Sequence, residues 1–89
     1  MDLKVQVGQR LKECRKAKGL TQKQVGEHLG IVLQQYQTYE SGRYELDYQK
    51  LVSLCLLFDV SADYILGISN FLDWVMRIFR LIFEGLVIY

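Results

Sequence analysis

Two helical segments parted by a single glycine fill only 21 residues, Thr21–Ser41, and no other feature limits the fold as much. Thr21-Gln22-Lys23-Gln24 is a capping box. The Thr21 hydroxyl accepts from the backbone three residues on, and the Gln24 side chain reaches back to Thr21. Val25 and Leu29 give the helix that follows one apolar edge, and Gly30 supplies the turn. A second helix is predicted from about Leu33 to Ser41, with Tyr36 and Tyr39 facing inward at a spacing of three. Gln34, Gln35, Gln37 and Thr38 are left on its outer side. A turn this short holds two helices at a steep angle.

The rest of the chain is punctuated in the same way. Gly19, Gly42 and Gly67 stop helices. The first helix is predicted from about Asp2 to Lys18, with Val7, Leu11 and Cys14 at core spacing. Asp47 is a fitting N-cap for a helix carrying Leu51, Leu54, Cys55 and Phe58. Asp59 and Ser61 begin a further turn, followed by a short helix Ala62–Leu66. Asn70 caps a last helix from Phe71 to about Glu84 or beyond. No period-2 alternation, internal repeat or linker interrupts this pattern, so the expected class is all-α. With 89 residues, a two-domain enzyme, an α/β barrel and a doubly wound nucleotide-binding fold are excluded. The expected division is a compact five-helix domain over 1–69 and an additional apolar helix over 70–89.

Charge is placed unevenly. Residues 1–50 hold nine Lys/Arg against six Asp/Glu, and residues 51–89 hold two against four. The formal net charge of +1 therefore averages a mildly basic half and an acidic, apolar half. Cys14 and Cys55 sit in helical patterns with no metal-ligand spacing, and read as small core residues. His28 stands alone and reads as a surface residue. No nucleophile is paired with a base, so no enzyme, cofactor or metal ion is expected. No signal peptide opens the chain, which points to the cytoplasm.

An α-helix fits the DNA major groove, where amide side chains read base edges and Gln pairs with adenine. The free N–H groups at the start of the helix opened by Thr21 suit a phosphate. At this point the motif string becomes specific. Gly19-Leu20-Thr21-Gln22, Val25, Leu29-Gly30-Ile31, Tyr36, Tyr39-Glu40-Ser41-Gly42-Arg43, Leu51, Leu54, Phe58-Asp59-Val60-Ser61 and Asp63-Tyr64-Ile65-Leu66-Gly67 match at family spacing. The chain thus resembles the Cro/CI-type (XRE-like) helix-turn-helix family of phage and bacterial repressors. The resemblance runs from about Val7 to Gly67 and implies a lambda-repressor-like domain that binds double-stranded DNA.

Carried over by position, the resemblance implies that Gln22 contacts a phosphate. It implies that Leu33, Gln34, Gln35 and Thr38 reach base edges. It pairs Arg15 with Glu40, and it lays Ser41 and Arg43, with Tyr44 as a looser match, along the DNA backbone. Arg15 and Glu40 then suit an ordinary surface pair worth little, a strut that also aims Arg15 at phosphate, or both. The glutamine row also suits a plain solvated face, and the resemblance favours DNA. Val32 replaces the usual polar cap of the reading helix, Leu33 stands where a polar reader is common, and Leu46 stands where proline is frequent.

The segment Phe71–Tyr89 is apolar at fourteen of nineteen positions. Its charges, Asp73, Arg77, Arg80 and Glu84, fall in one narrow stripe, with Asp73–Arg77 and Arg80–Glu84 as i,i+4 neighbours. Such a helix cannot stand exposed on a monomer. Homodimerisation through Phe71, Trp74, Val75, Ile78, Phe79, Ile82 and Phe83 is the favoured expectation. Packing on its own domain against Leu56 and Leu57 comes next. A membrane is disfavoured by the four charges. A dimeric repressor would set two reading helices about 34 Å apart on a palindrome. The alternative is a protein-interaction module, antitoxin-like, that holds a protein partner through the apolar helix.

Overall fold

The computed structural model describes residues 2–68 and 78–84. Five helices follow in order: α1 (Leu3–Ala17), α2 (Gln22–Leu29), α3 (Leu33–Glu40), α4 (Tyr48–Phe58) and α5 (Ala62–Leu66). Residues 78–84 are helical as well, and no strand occurs among the described residues. The all-α architecture therefore agrees with the helical punctuation of the sequence, and helix ends fall within a residue or so of the predicted ones.

Local chemistry sets those ends. The Asp2 carboxylate accepts from Lys4 N at 3.0 Å, Asp47 from Lys50 N at 2.8 Å, and Ser61 from Tyr64 N at 3.1 Å. The capping box of α2 is complete, with Gln24 N donating to Thr21 Oγ1 at 3.1 Å and Thr21 N to Gln24 Oε1 at 2.8 Å. Each such cap satisfies helix N–H groups left without an intrahelical acceptor and contributes about 1 kcal/mol. Among α1 to α5, α3 alone starts without one, because the Val32 side chain has no acceptor to offer. Gly30 closes α2 at φ 72°, the left-handed region that an L side chain rarely enters, and this lets the chain turn straight into α3.

Each of α1 to α5 sends one side chain fully into the core: Leu11 from α1, Val25 from α2, Tyr36 from α3, Leu54 from α4 and Ile65 from α5. Cys14, Tyr39 and Phe58 complete the cluster, and Val7, Leu29, Leu51 and Cys55 pack against it. Burial of such side chains stabilises by roughly 1.5–3 kcal/mol each. Burial also pushes the Cys14 thiol up, away from the reactive thiolate. Both α1 and α2 pack on α3, α5 rests on α1, and α4 touches α5 and α2. So α3 is clamped from behind by two helices.

Gly8 makes the α1–α3 approach possible. A Cβ there would lie 2.4 Å from the Glu40 carbonyl oxygen and 2.6 Å from that of Tyr39. Nothing in the local pattern of α1 announces this, since the contact joins residues 32 positions apart.

Candidate nucleic-acid interface

Tyr36 and Tyr39 anchor α3 on its buried side, three residues apart, while Gln34, Gln35 and Gln37 are exposed on the other. Leu33 and Thr38 are half-buried. The outer row thus has the composition of a reading face: amides with both donor and acceptor ends, on a helix whose rear is fixed by two rings. Gln34 carries no hydrogen bond within the protein among those of the described residues. Gln35 donates from Nε2 to the Tyr39 hydroxyl at 3.0 Å. The Thr38 hydroxyl donates to the Gln35 carbonyl of its own helix. At the end of α3, the Ser41 hydroxyl donates to the Thr38 carbonyl at 3.1 Å.

Behind this face lies a tight polar network. Arg15 Nε donates to Glu40 Oε2 at 2.7 Å and Arg15 Nη2 to Glu40 Oε1 at 3.1 Å, a two-pronged ion pair between α1 and the end of α3. Arg15 Nη1 donates to the Leu20 carbonyl at 3.0 Å. The side chains are only 12% and 4% exposed, so this is not a surface pair. With all three nitrogens engaged inward and the side chain largely covered, Arg15 is built as a strut between α1, the α1–α2 turn and α3.

Glu40 also accepts from Gln22 Nε2 at 3.1 Å, and Gln22 Oε1 accepts in turn from Gln37 Nε2 at 3.1 Å. Gln22 is thereby held at the start of α2, with its amide orientation set from both ends. One amide hydrogen remains for an outside acceptor. Gln37 was legible in the sequence only as a member of the outer row. Its tie to Gln22 depends on how α2 and α3 cross, which spacing alone does not give.

Glu40 is the electrostatic centre of the network. Burial pushes its carboxyl up, but Arg15, the nearby Tyr36 hydroxyl and Gln22 more than offset this and hold it below the ordinary carboxylate range. Tyr36 is driven the other way, well above the usual phenol range, first by burial and then by the Glu40 charge. Its buried hydroxyl lies near Glu40 without reaching hydrogen-bond geometry. On the loop after α3, Arg43 and Tyr44 are exposed, and the Arg43 guanidinium sits over the Tyr44 ring at 5.4 Å.

Of the apolar residues expected to associate, Phe71, Trp74 and Val75 lie outside the described residues, as does the expected cap Asn70. Ile78, Phe79, Ile82 and Phe83 are described, and all four are exposed. Leu56 is exposed too, so these four residues do not cover it. Arg80 Nε donates to Glu84 Oε1 at 2.9 Å, the i,i+4 pair that the charge spacing predicts. Among the described residues, no helix is long and apolar enough to cross a membrane, and no group of His, Cys, Asp and Glu gathers at metal-binding distance.

Residues 8–67 match the family model described as a helix-turn-helix domain, and the chain belongs to that family. It is 48% identical over 61 residues to the HTH-type transcriptional regulator YqaE of Bacillus subtilis, a match that covers 67% of this chain and 53% of that protein. It is 42% identical over 59 residues to the SPbeta prophage-derived regulator YonR of the same organism, covering 66% of this chain and 55% of that one. The chain spans about half the length of the curated relatives it matches. In structure it is similar to the restriction-modification controller protein C.AhdI from Aeromonas hydrophila. The TM-score is 0.64 at 27% identity, over 70% of this chain and 90% of that one. The matched region is a domain of transcriptional regulators, not a catalytic one.

Proposed function

We propose that this chain is a sequence-specific DNA-binding transcriptional regulator, a repressor that occupies a palindromic operator as a homodimer. The observation that carries the reading is the combination on α3. An outward amide row stands on a helix whose rear is pinned by Tyr36, Tyr39 and the Glu40 ion pair. A helix already fixed from behind needs no backbone ordering on docking, and its amide row fits the major groove.

In this reading Gln34, Gln35 and Thr38 read base edges, and Leu33 touches a thymine methyl group. Gln22, Ser41, Arg43 and Tyr44 follow the phosphates, and Arg15 acts through Glu40 by holding Gln22 and α3 in register. Residues 1–69 form the DNA-binding unit and residues 70–89 the associating one. One such unit makes few phosphate contacts, so its affinity alone is modest. Two copies about a two-fold axis double the contacts and read two half-sites about 34 Å apart. Occupancy of such a site blocks access to the DNA beneath, which is repression in its simplest form. The names of the relatives, transcriptional regulators and a restriction-modification controller, support the class.

The test is selection from a random duplex library with the full chain, followed by footprinting. A recovered motif with two inverted half-sites one helical turn apart is expected. Recovery of no motif above background would overturn the reading.

A further inference from the structure

The outer face of α4 carries an apolar stripe that the DNA-reading account does not use. Tyr48, Val52 and Leu56 follow one another at i, i+4 and i+8 and are 88%, 57% and 78% exposed. They stand on the side of α4 away from Leu54 and Phe58, which are buried in the core. No charge falls within the stripe, since Lys50 points elsewhere and pairs with Asp47 at 2.6 Å. Solvated helix faces are normally polar, and three large apolar side chains in register mark a face that expects cover.

The same chain carries a second face of the same kind. In the helical residues 78–84, Phe79, Ile82 and Phe83 lie at i, i+3 and i+4, and each keeps more than half of its surface exposed. The Arg80–Glu84 ion pair runs along the flank and is satisfied within the helix, so neither charge has to be buried to cover that face. Both faces are open on one and the same chain, so neither is the cover of the other within it.

We infer that the α4 stripe receives the C-terminal apolar helix of a second copy, and that the exchange is reciprocal. Phe79, Ile82 and Phe83 of each protomer lie across Tyr48, Val52 and Leu56 of its partner. The inference rests on the dimer reading above and names the surface that dimer uses. Extent supports it. At about 150–250 Å² for a wholly exposed aromatic side chain and somewhat less for an aliphatic one, the six residues offer on the order of 700 Å² per protomer. A stable interface buries about 800 Å² per partner. Symmetry supports it as well. A contact in which one face meets a different face on the second copy, and the reverse holds across a two-fold axis, closes with two chains and leaves neither face open. The stripe lies on α4 and leaves the outward row of α3 free for DNA.

The test uses the full chain and two variants, Leu56→Lys on the stripe and Phe83→Glu on the C-terminal helix. Both positions are exposed, so helicity by circular dichroism should match wild type. Sedimentation equilibrium should show a wild-type dimer, each variant dissociating at least tenfold more readily, and an equimolar mixture of the two recovering dimer. In the mixture one contact is wild type and the other sets Lys against Glu. If Leu56→Lys dimerises as tightly as wild type while Phe83→Glu does not, the stripe is not the receiving surface and the dimer reading survives. If the wild-type chain is a monomer at high concentration, both fall, and the stripe has another occupant.

Discussion

Arg15 on α1 and Glu40 at the end of α3 meet through two parallel hydrogen bonds, 2.7 and 3.1 Å, in a site from which water is almost wholly excluded. The pair fastens the rear of the helix that carries the outward amide row. Through Gln22 and then Gln37 it extends to the start of α2 and back to α3. One carboxylate thereby sets the relative position of three helices.

Removing one partner of this pair should be costly. Glu40→Ala leaves the Arg15 guanidinium buried and short of acceptors, and loss of a buried partner typically costs about 3–5 kcal/mol. Urea unfolding should show a loss of that order. The double variant Arg15→Met/Glu40→Leu should recover much of it, because neither charge is then left alone. A loss below about 1 kcal/mol for Glu40→Ala would mean that the pair behaves like an exposed one.

The same carboxylate predicts a pH dependence. Glu40 is held below its ordinary value of 4.5 in the folded chain. As pH falls, the unfolded chain takes up this proton first, so the contribution of Glu40 to stability is whole above about 4.5 and is lost as pH drops through the lower folded value. Glu40→Gln lacks this proton. Urea midpoints of wild type and Glu40→Gln, measured from pH 7 to pH 3, should converge at the acid end. A gap that stays constant over the whole range would contradict the assignment.

Gly8→Ala should destabilise although alanine is the better helix former. The new Cβ would meet two backbone carbonyl oxygens at 2.4 and 2.6 Å, and neither can swing away as a side-chain tip would. Separation of α1 from α3 should cost about 1–3 kcal/mol, as overpacking does elsewhere, and should loosen the Arg15–Glu40 geometry. Thermal unfolding checks the first effect, and a smaller energetic coupling between Arg15 and Glu40 in the Gly8→Ala background checks the second. A Tm at or above wild type would show that the helices separate freely.

Much of this was legible beforehand, for identifiable reasons. Caps and glycine stops act over three or four residues, so Thr21/Gln24, Asp47 and Ser61 announce their helices in the sequence itself. The Arg15–Glu40 pair was reachable through family resemblance but not through spacing, and its burial was not reachable at all, because burial depends on how α1 crosses α3. For the same reason Gly8 and the Gln37–Gln22 link leave no mark in the sequence pattern. Ile65, the fully buried residue of α5, lies in a helix too short to show a periodicity. The α4 stripe is half visible in Leu56, which the sequence offers as a packing site for the apolar C-terminal segment. Tyr48 and Val52 join it only once α4 is known to turn its Leu54 and Phe58 side inward.

Gln34→Ala and Arg43→Ala should separate reading from holding. The Gln34 side chain is exposed on α3 with no hydrogen bond among the described residues, so its loss should cost about 1–3 kcal/mol at one base pair of each half-site and little on unrelated DNA. Arg43 lies on the loop after α3, so its loss should weaken all sequences alike and reduce the salt slope by about one. Equal losses on every duplex for Gln34→Ala would sink the base-reading role.

The most direct test of the central claim is a fluorescence anisotropy titration of the full chain against its selected duplex and a scrambled one, at several salt concentrations. The α3 account predicts that binding to both weakens linearly in log–log form as salt rises. It also predicts a preference for the selected duplex that collapses in Gln34→Ala. Absence of salt-dependent binding to either duplex would contradict it.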